Sequence, residues 1–126
     1  MHKGSCLCGA VAFEVDGPLT PPVACHCGQC RKQSGHYWCA TSAALGDFRS
    51  TGTGAPEWYK SSPQAKRGFC RLCGSTLFWQ HSDENILHIS MSAFDTPTGL
   101  RLSEHIFAAH KGDYYDIADD VPQRKD

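Results

Sequence analysis

Val11, Phe13 and Val15 alternate with Ala10, Ala12 and Glu14. A two-residue period of this kind predicts an extended segment with one apolar face. The strand reading runs over 3–15 and stops at Asp16-Gly17-Pro18. Residues 23–27 predict a short second strand. Residues 28–35 are polar and turn-like, with one helical turn as the alternative. Residues 36–43 are aromatic and β-prone through Tyr37, Trp38 and Thr41. Short strands are expected at 48–51 and 57–60, around a turn-rich stretch at 51–56. Phe69 leads into a turn at 70–74, strand resumes at 76–80, and 81–85 reads as a turn. Ile86, His88 and Ser90 alternate with Leu87, Ile89 and Met91, which predicts another strand. After a Pro/Gly loop at 95–103, the last strands are expected at 105–109 and 114–117. The polar tail from Ala118 is expected to be loosely held. Many short strands and little helical periodicity make this a mainly β domain.

Composition narrows the functional classes. The 126 residues suit a single domain over 1–126, since domains commonly run to about 100–150 residues. Lys and Arg number 12 against 13 Asp and Glu, for a formal net charge of −1. Without a basic excess to neutralise phosphates, nucleic acid is not an expected partner. No apolar run approaches the roughly 20 residues of a membrane span. Met1-His2-Lys3-Gly4-Ser5 carries no apolar stretch behind its charge, so no secretory signal is expected.

Eight Cys and seven His change the picture most. They admit a disulfide framework or metal binding. Disulfides suit short secreted chains that cannot build a core. Spacing favours metal. Seven of the Cys fall in three groups: Cys6-Leu7-Cys8-Gly9, Cys25-His26-Cys27-Gly28-Gln29-Cys30 and Cys70-Arg71-Leu72-Cys73-Gly74. In an extended strand, residues i and i+2 share a face, so Cys6 with Cys8 and Cys25 with Cys27 are expected to aim their sulfurs at one point. Cys-x-x-Cys-Gly achieves this through a turn whose Gly tolerates positive φ and whose N–H groups face the sulfurs. Such pairs suit tetrahedral Zn²⁺ with thiolates at about 2.3 Å. Cys6, Cys8, Cys70 and Cys73 then make a complete set of structural ligands. Cys25, Cys27 and Cys30 leave an open position, the pattern of a catalytic zinc. Cys39 reads as a core residue, with closure of the second site as the alternative. His26 faces away from that zinc in an extended segment and reads as a hydrogen-bonded structural residue; His36 is the other residue able to reach the metal. His88 and His105 sit on strand faces. Trp38, Trp58 and Trp79 read as core or pocket wall, and Asp116, Asp119 and Asp120 as a solvated surface.

These motifs closely resemble the glutathione-dependent formaldehyde-activating family. The resemblance is carried by Gly4-Ser5-Cys6-Leu7-Cys8-Gly9-Ala10-Val11, by Cys25-His26-Cys27-Gly28-Gln29-Cys30-Arg31 and by Arg67-Gly68-Phe69-Cys70-Arg71-Leu72-Cys73-Gly74-Ser75. It continues through His105-Ile106-Phe107 and Tyr115-Asp116-Ile117-Ala118-Asp119-Asp120-Val121-Pro122, covering about residues 3–122. Tyr114 departs from the Trp that many members carry before a Tyr. The resemblance implies a mainly β, Mss4-like (β-tent) fold of short antiparallel strands with two zinc ions. It implies a structural zinc on Cys6, Cys8, Cys70 and Cys73 and a catalytic zinc on Cys25, Cys27 and Cys30. The activity implied is that of a carbon–sulfur lyase, condensing glutathione with formaldehyde to S-(hydroxymethyl)glutathione. The family also resembles the domain of centromere protein V, so the fold alone does not fix the function.

A free thiol is mostly protonated at neutral pH, and coordination to zinc removes its proton. The open position is therefore expected to take the sulfur of a small thiol, glutathione under the resemblance, beside an electrophilic carbonyl carbon. Arg31, Lys32 and Arg67 are candidate partners for glutathione's carboxylates, although each reads more simply as surface charge. The alternatives are an enzyme using another small thiol or electrophile, and a zinc-stabilised binding module without catalysis. Thiolate sites need a reducing compartment, so the expected location is cytoplasmic.

Overall fold

The computed structural model describes residues 1–126. Its strands are β1 (His2–Ser5), β2 (Ala12–Val15), β3 (Val23–Cys25), β4 (Trp38–Ala44), β5 (Phe48–Ser50), β6 (Glu57–Ser62), β7 (Ala65–Phe69), β8 (Thr76–His81), β9 (Ile86–Ser90) and β10 (Glu104–Ile106), with one α-helix, α1 (Gly28–Ser34). The chain gathers into two compact units, one of residues 1–20 and 41–99, the other of 21–40 and 100–126.

The first unit holds the hydrophobic core. β2 pairs antiparallel with β1 on one side and β5 on the other. β6, β7 and β8 form an antiparallel meander continued by β9. The alternation that predicted a strand is real at Phe13 and Val15, which are fully buried. Phe13 lies at the centre of an aromatic group, stacked on Phe48 at 5.4 Å and edge-on to Phe94 at 5.4 Å and to Phe78 at 5.7 Å. Offset and edge-on pairs of this kind add to the stabilisation from area burial. Trp58 packs on the same core, stacked on Phe78, with the Lys66 ammonium over its outer face. Trp79 lies edge-on to His88.

The expected strand over 3–15 is in fact two strands. Residues 6–11 turn back between β1 and β2, because Cys6 and Val11 close a backbone hydrogen bond of 2.9 Å. β7 was not anticipated, since Lys66 and Arg67 mask its apolar pattern. As a central strand between β6 and β8 it buries Arg67, which is 4% exposed and lies opposite Trp79. Arg67 is therefore no surface charge.

In the second unit β3 pairs antiparallel with β4 and parallel with β10, a parallel pairing within the mainly antiparallel pattern expected. Residues 28–34 make a seven-residue helix, longer than the turn or single helical turn expected there. Residues 114–117 form no strand; the Lys111 ammonium donates to the carbonyls of Gly112 and Tyr115 and draws the chain into a compact turn. The tail is not loose. His105 N–H donates to Pro122 O at 2.8 Å, Arg124 N–H to His105 O at 2.8 Å, and Ala108 N–H to Arg124 O at 2.9 Å.

Candidate metal centres

The four-sulfur cluster lies within the first unit and is made by two matching turns. In one, Cys6 N–H donates to Val11 O and Gly9 N–H to Cys6 O; in the other, Cys70 N–H donates to Ser75 O and Gly74 N–H to Cys70 O. Gly9 and Gly74 sit at φ 85° and 80°, which a side chain would strain. Cys6 and Cys8 thus converge through a turn, not along an extended strand. The turns are tied together by Leu7 N–H, which donates to Ser75 Oγ at 2.9 Å. Cys6 and Cys70 are buried at 3% and 1% exposure, within the hydrophobic core.

The sulfurs lie 3.6 Å apart for Cys6 and Cys8 and 3.8 Å for Cys8 and Cys70, and all four fall within 4.8 Å of one another. A tetrahedral ion with bonds of about 2.3 Å spaces its sulfurs by about 3.8 Å, so the cage fits zinc. Proton affinities agree. The Ser75 hydroxyl and N–H pull the Cys73 thiol down to about 5. The Ala10 N–H opposes a rise at Cys8, yet the neighbouring sulfurs push that thiol up to about 11. Four sulfurs this close cannot all ionise without a cation to neutralise them.

The second cluster lies within the other unit and is built from one local segment. Cys25 ends β3, Cys27 caps α1, and Cys30 sits in its first turn. Cys30 N–H donates to Cys27 Sγ at 3.4 Å. The three sulfurs lie within 4.8 Å of one another. The Cys25 sulfur, and after it Cys30, pull the Cys27 thiol down to about 2, while the same contacts push Cys25 far up. One thiolate thus forms readily at Cys27, and Cys25 keeps its proton. Cys39 belongs to neither cluster; it pairs with Ala24 across the β3–β4 ladder, and burial pushes its thiol up. His36 is not among the clustered ligands either, and stacks on Tyr37 at 4.5 Å. Arg31 is half-buried and Lys32 exposed on α1.

Beside the three-sulfur cluster runs a polar line that sequence reasoning missed. His26 is fully buried, its Nδ1 2.5 Å from Tyr115 Oη and its Nε2 2.8 Å from His105 Nδ1. His105 is 2% exposed, and its Nε2 lies 3.0 Å from both carboxylate oxygens of Asp119. Desolvation by burial, with His105 beside it, pulls His26 below the ordinary imidazole range and keeps it neutral. The hydrogen-bonded structural role expected for His26 is what the geometry displays. Asp119 is exposed, as expected for solvated surface, and it also forms the end of this line. Nothing in local spacing marks it, because the partners lie 14, 79 and 89 residues apart.

Comparison with known proteins agrees with this geometry. The chain is 25% identical over 127 residues to an uncharacterized lyase of Schizosaccharomyces pombe, covering 93% of this chain and 85% of the relative. A crystal structure of a Rhodobacter sphaeroides protein superposes with a TM-score of 0.64 at 25% identity, covering 97% of this chain and 99% of that one. The family model for the glutathione-dependent formaldehyde-activating enzyme matches residues 1–110, which include both cysteine clusters and His105 but end before Tyr115 and Asp119. A match over most of the chain, with every cysteine motif inside it, places this protein in the glutathione-dependent formaldehyde-activating enzyme family.

Proposed function

We propose that the chain is a zinc-dependent carbon–sulfur lyase that joins glutathione, or a closely related small thiol, to formaldehyde. One observation carries the reading: three sulfurs converge from residues 25–30 with no fourth protein ligand among them, while the other four make a complete set. Zinc held there would supply a thiophilic Lewis acid with room for one more ligand. Cys25, Cys27 and Cys30 would hold it, and Cys6, Cys8, Cys70 and Cys73 would hold a second, structural ion.

The reaction adds S–H across C=O. A carbon–sulfur bond forms, the carbonyl π bond breaks, and the thiol proton ends on the former carbonyl oxygen, with no net redox change. The chain's part is to hold its sulfurs ready: the Cys30 N–H faces Cys27 Sγ, and the start of α1 fixes their spacing. Arg31, half-buried in the last turn of α1, is the cation offered to a substrate carboxylate. No helix is long and apolar enough to cross a membrane, and thiolate sites suit a reducing compartment such as the cytoplasm.

The test mixes zinc-loaded protein with glutathione and formaldehyde and follows the adduct by proton NMR. Formation faster than the spontaneous reaction, abolished in Cys27→Ser, supports the reading. A rate equal to the background contradicts it.

A further inference from the structure

Asp119, His105, His26 and Tyr115 form one hydrogen-bonded line within the second unit. The chemistry proposed above uses none of them, yet His26 is the residue between Cys25 and Cys27. It is fixed at three points: its N–H donates to Ile106 O at 3.1 Å, and both ring nitrogens have protein partners. Ala24 and His26 are buried while Cys25 and Cys27 are only half-buried, so the imidazole anchors one face of this segment and the sulfurs leave the other.

With one proton on each ring, the line has a single direction. An ionised carboxylate only accepts, so His105 donates from Nε2–H to Asp119. A His105 ring carrying that one proton accepts at Nδ1, which makes His26 an Nε2–H donor. His26 in turn accepts at Nδ1 from the Tyr115 hydroxyl. The anion at one end sets the tautomer of two buried rings.

We infer that Asp119 and His105 are positioning residues for the three-sulfur site: they lock the His26 ring, and through it the backbone that carries Cys25 and Cys27. The inference rests on the reading of that cluster as the reactive metal site. Partners that orient metal ligands from outside typically contribute 10–100-fold in affinity. Here the oriented group is the residue between two ligands, and the carboxylate comes from a part of the chain beyond the family match.

A packing role would need only the shapes of these side chains; a positioning role needs their hydrogen bonds. Two substitutions remove the bonds, Asp119→Leu and His105→Phe, and Asp119→Asn keeps an acceptor oxygen for His105. Cobalt(II) is titrated into the full chain after one equivalent of zinc has filled the four-sulfur cluster, and sulfur-to-cobalt absorption reports the second site. Nitrogen-15 spectra of the imidazoles report the tautomers. Asp119→Leu and His105→Phe are expected to weaken cobalt binding about tenfold and to shift its absorption, while Asp119→Asn stays within about twofold of the unsubstituted chain. Both rings of the unsubstituted chain are expected as Nε2–H. Leucine and phenylalanine variants that bind as tightly as the unsubstituted chain overturn the inference, as does an asparagine variant as weak as the leucine one. If the unsubstituted chain takes no cobalt at the second site, the proposed function fails instead. The tautomers then decide the inference: two Nε2–H rings uphold the lock, and any other pattern ends it.

Discussion

The two sulfur clusters are made by different devices. In the first, Cys8 and Cys70 meet across 62 residues, and Cys6 and Cys70 are part of the hydrophobic core. In the second, all three ligands lie between residues 25 and 30, at the junction of β3 and α1, and only Cys30 is buried. Closing a long loop removes more chain entropy than closing a short one. An ion in the first cluster therefore staples distant segments of the fold, and an ion in the second only reinforces a local turn. Under the proposed function, ligand number and stabilising role would go together: the complete cage would hold structure, and the incomplete one would be left for chemistry.

The largest test of the contrast is Cys70→Ser. Structural zinc contributes about 10–16 kcal/mol of apparent binding energy in small peptides, and a core sulfur is lost besides. We expect loss of the cooperative thermal transition and of most bound metal. Cys25→Ser should instead lose one of two metals and all activity, with a melting temperature close to the unsubstituted chain. Equal damage from the two changes, seen by metal counting and calorimetry, would break the division of roles.

A smaller effect is expected at Gly74. It sits at φ 80° with nothing within 4 Å of an added Cβ, so alanine there meets backbone strain alone. Gly74→Ala should cost about 1–2 kcal/mol in chemical denaturation. Gly28→Ala, at the start of α1, has no positive φ and its nearest neighbour is at 3.9 Å. It should be neutral or slightly stabilising. A reversed order would show that the four-sulfur turns are not the strained, fold-bearing pair.

The smallest effect is at Asp119. Desolvation pushes its carboxyl up, but the hydrogen bond from His105 outweighs that and holds it below the usual range. A folded value below the unfolded one stabilises the fold above the ordinary carboxylate range near about 3.9, and that stabilisation is lost as pH falls through the lowered value. Carbon-13 titration of this carboxyl should show the lowered midpoint, moving back up in His105→Phe. A midpoint at or above the ordinary value would remove Asp119 from the polar line.

Much of the metal chemistry was legible in the chain. Cysteine spacing is local, so Cys6 with Cys8, Cys25 with Cys27 and Cys30, and Cys70 with Cys73 could be grouped without knowing the fold. Strand periodicity located Phe13, Val15, Leu87 and Ile89, all now buried. Apart from the grouping of Cys6 and Cys8 with Cys70 and Cys73, what failed depended on partners distant in sequence. β7 was hidden because Arg67 is charged yet central. The tail looked mobile because its composition is polar, although its backbone is paired with residues near His105. Asp119 is solvent-facing as it looked, but its contact with His105 was hidden because that ring is buried in another segment. The route by which Cys6 and Cys8 converge was also misread, since a turn and a strand place alternate side chains alike over so short a stretch.

The most direct test is X-ray absorption at the zinc edge, on fully loaded protein with and without glutathione. The account predicts seven protein sulfurs shared between two ions, with a lighter ligand completing the shell, and a rise to eight sulfurs once glutathione is added. Eight sulfurs in the thiol-free protein, or no change on adding glutathione, would contradict it.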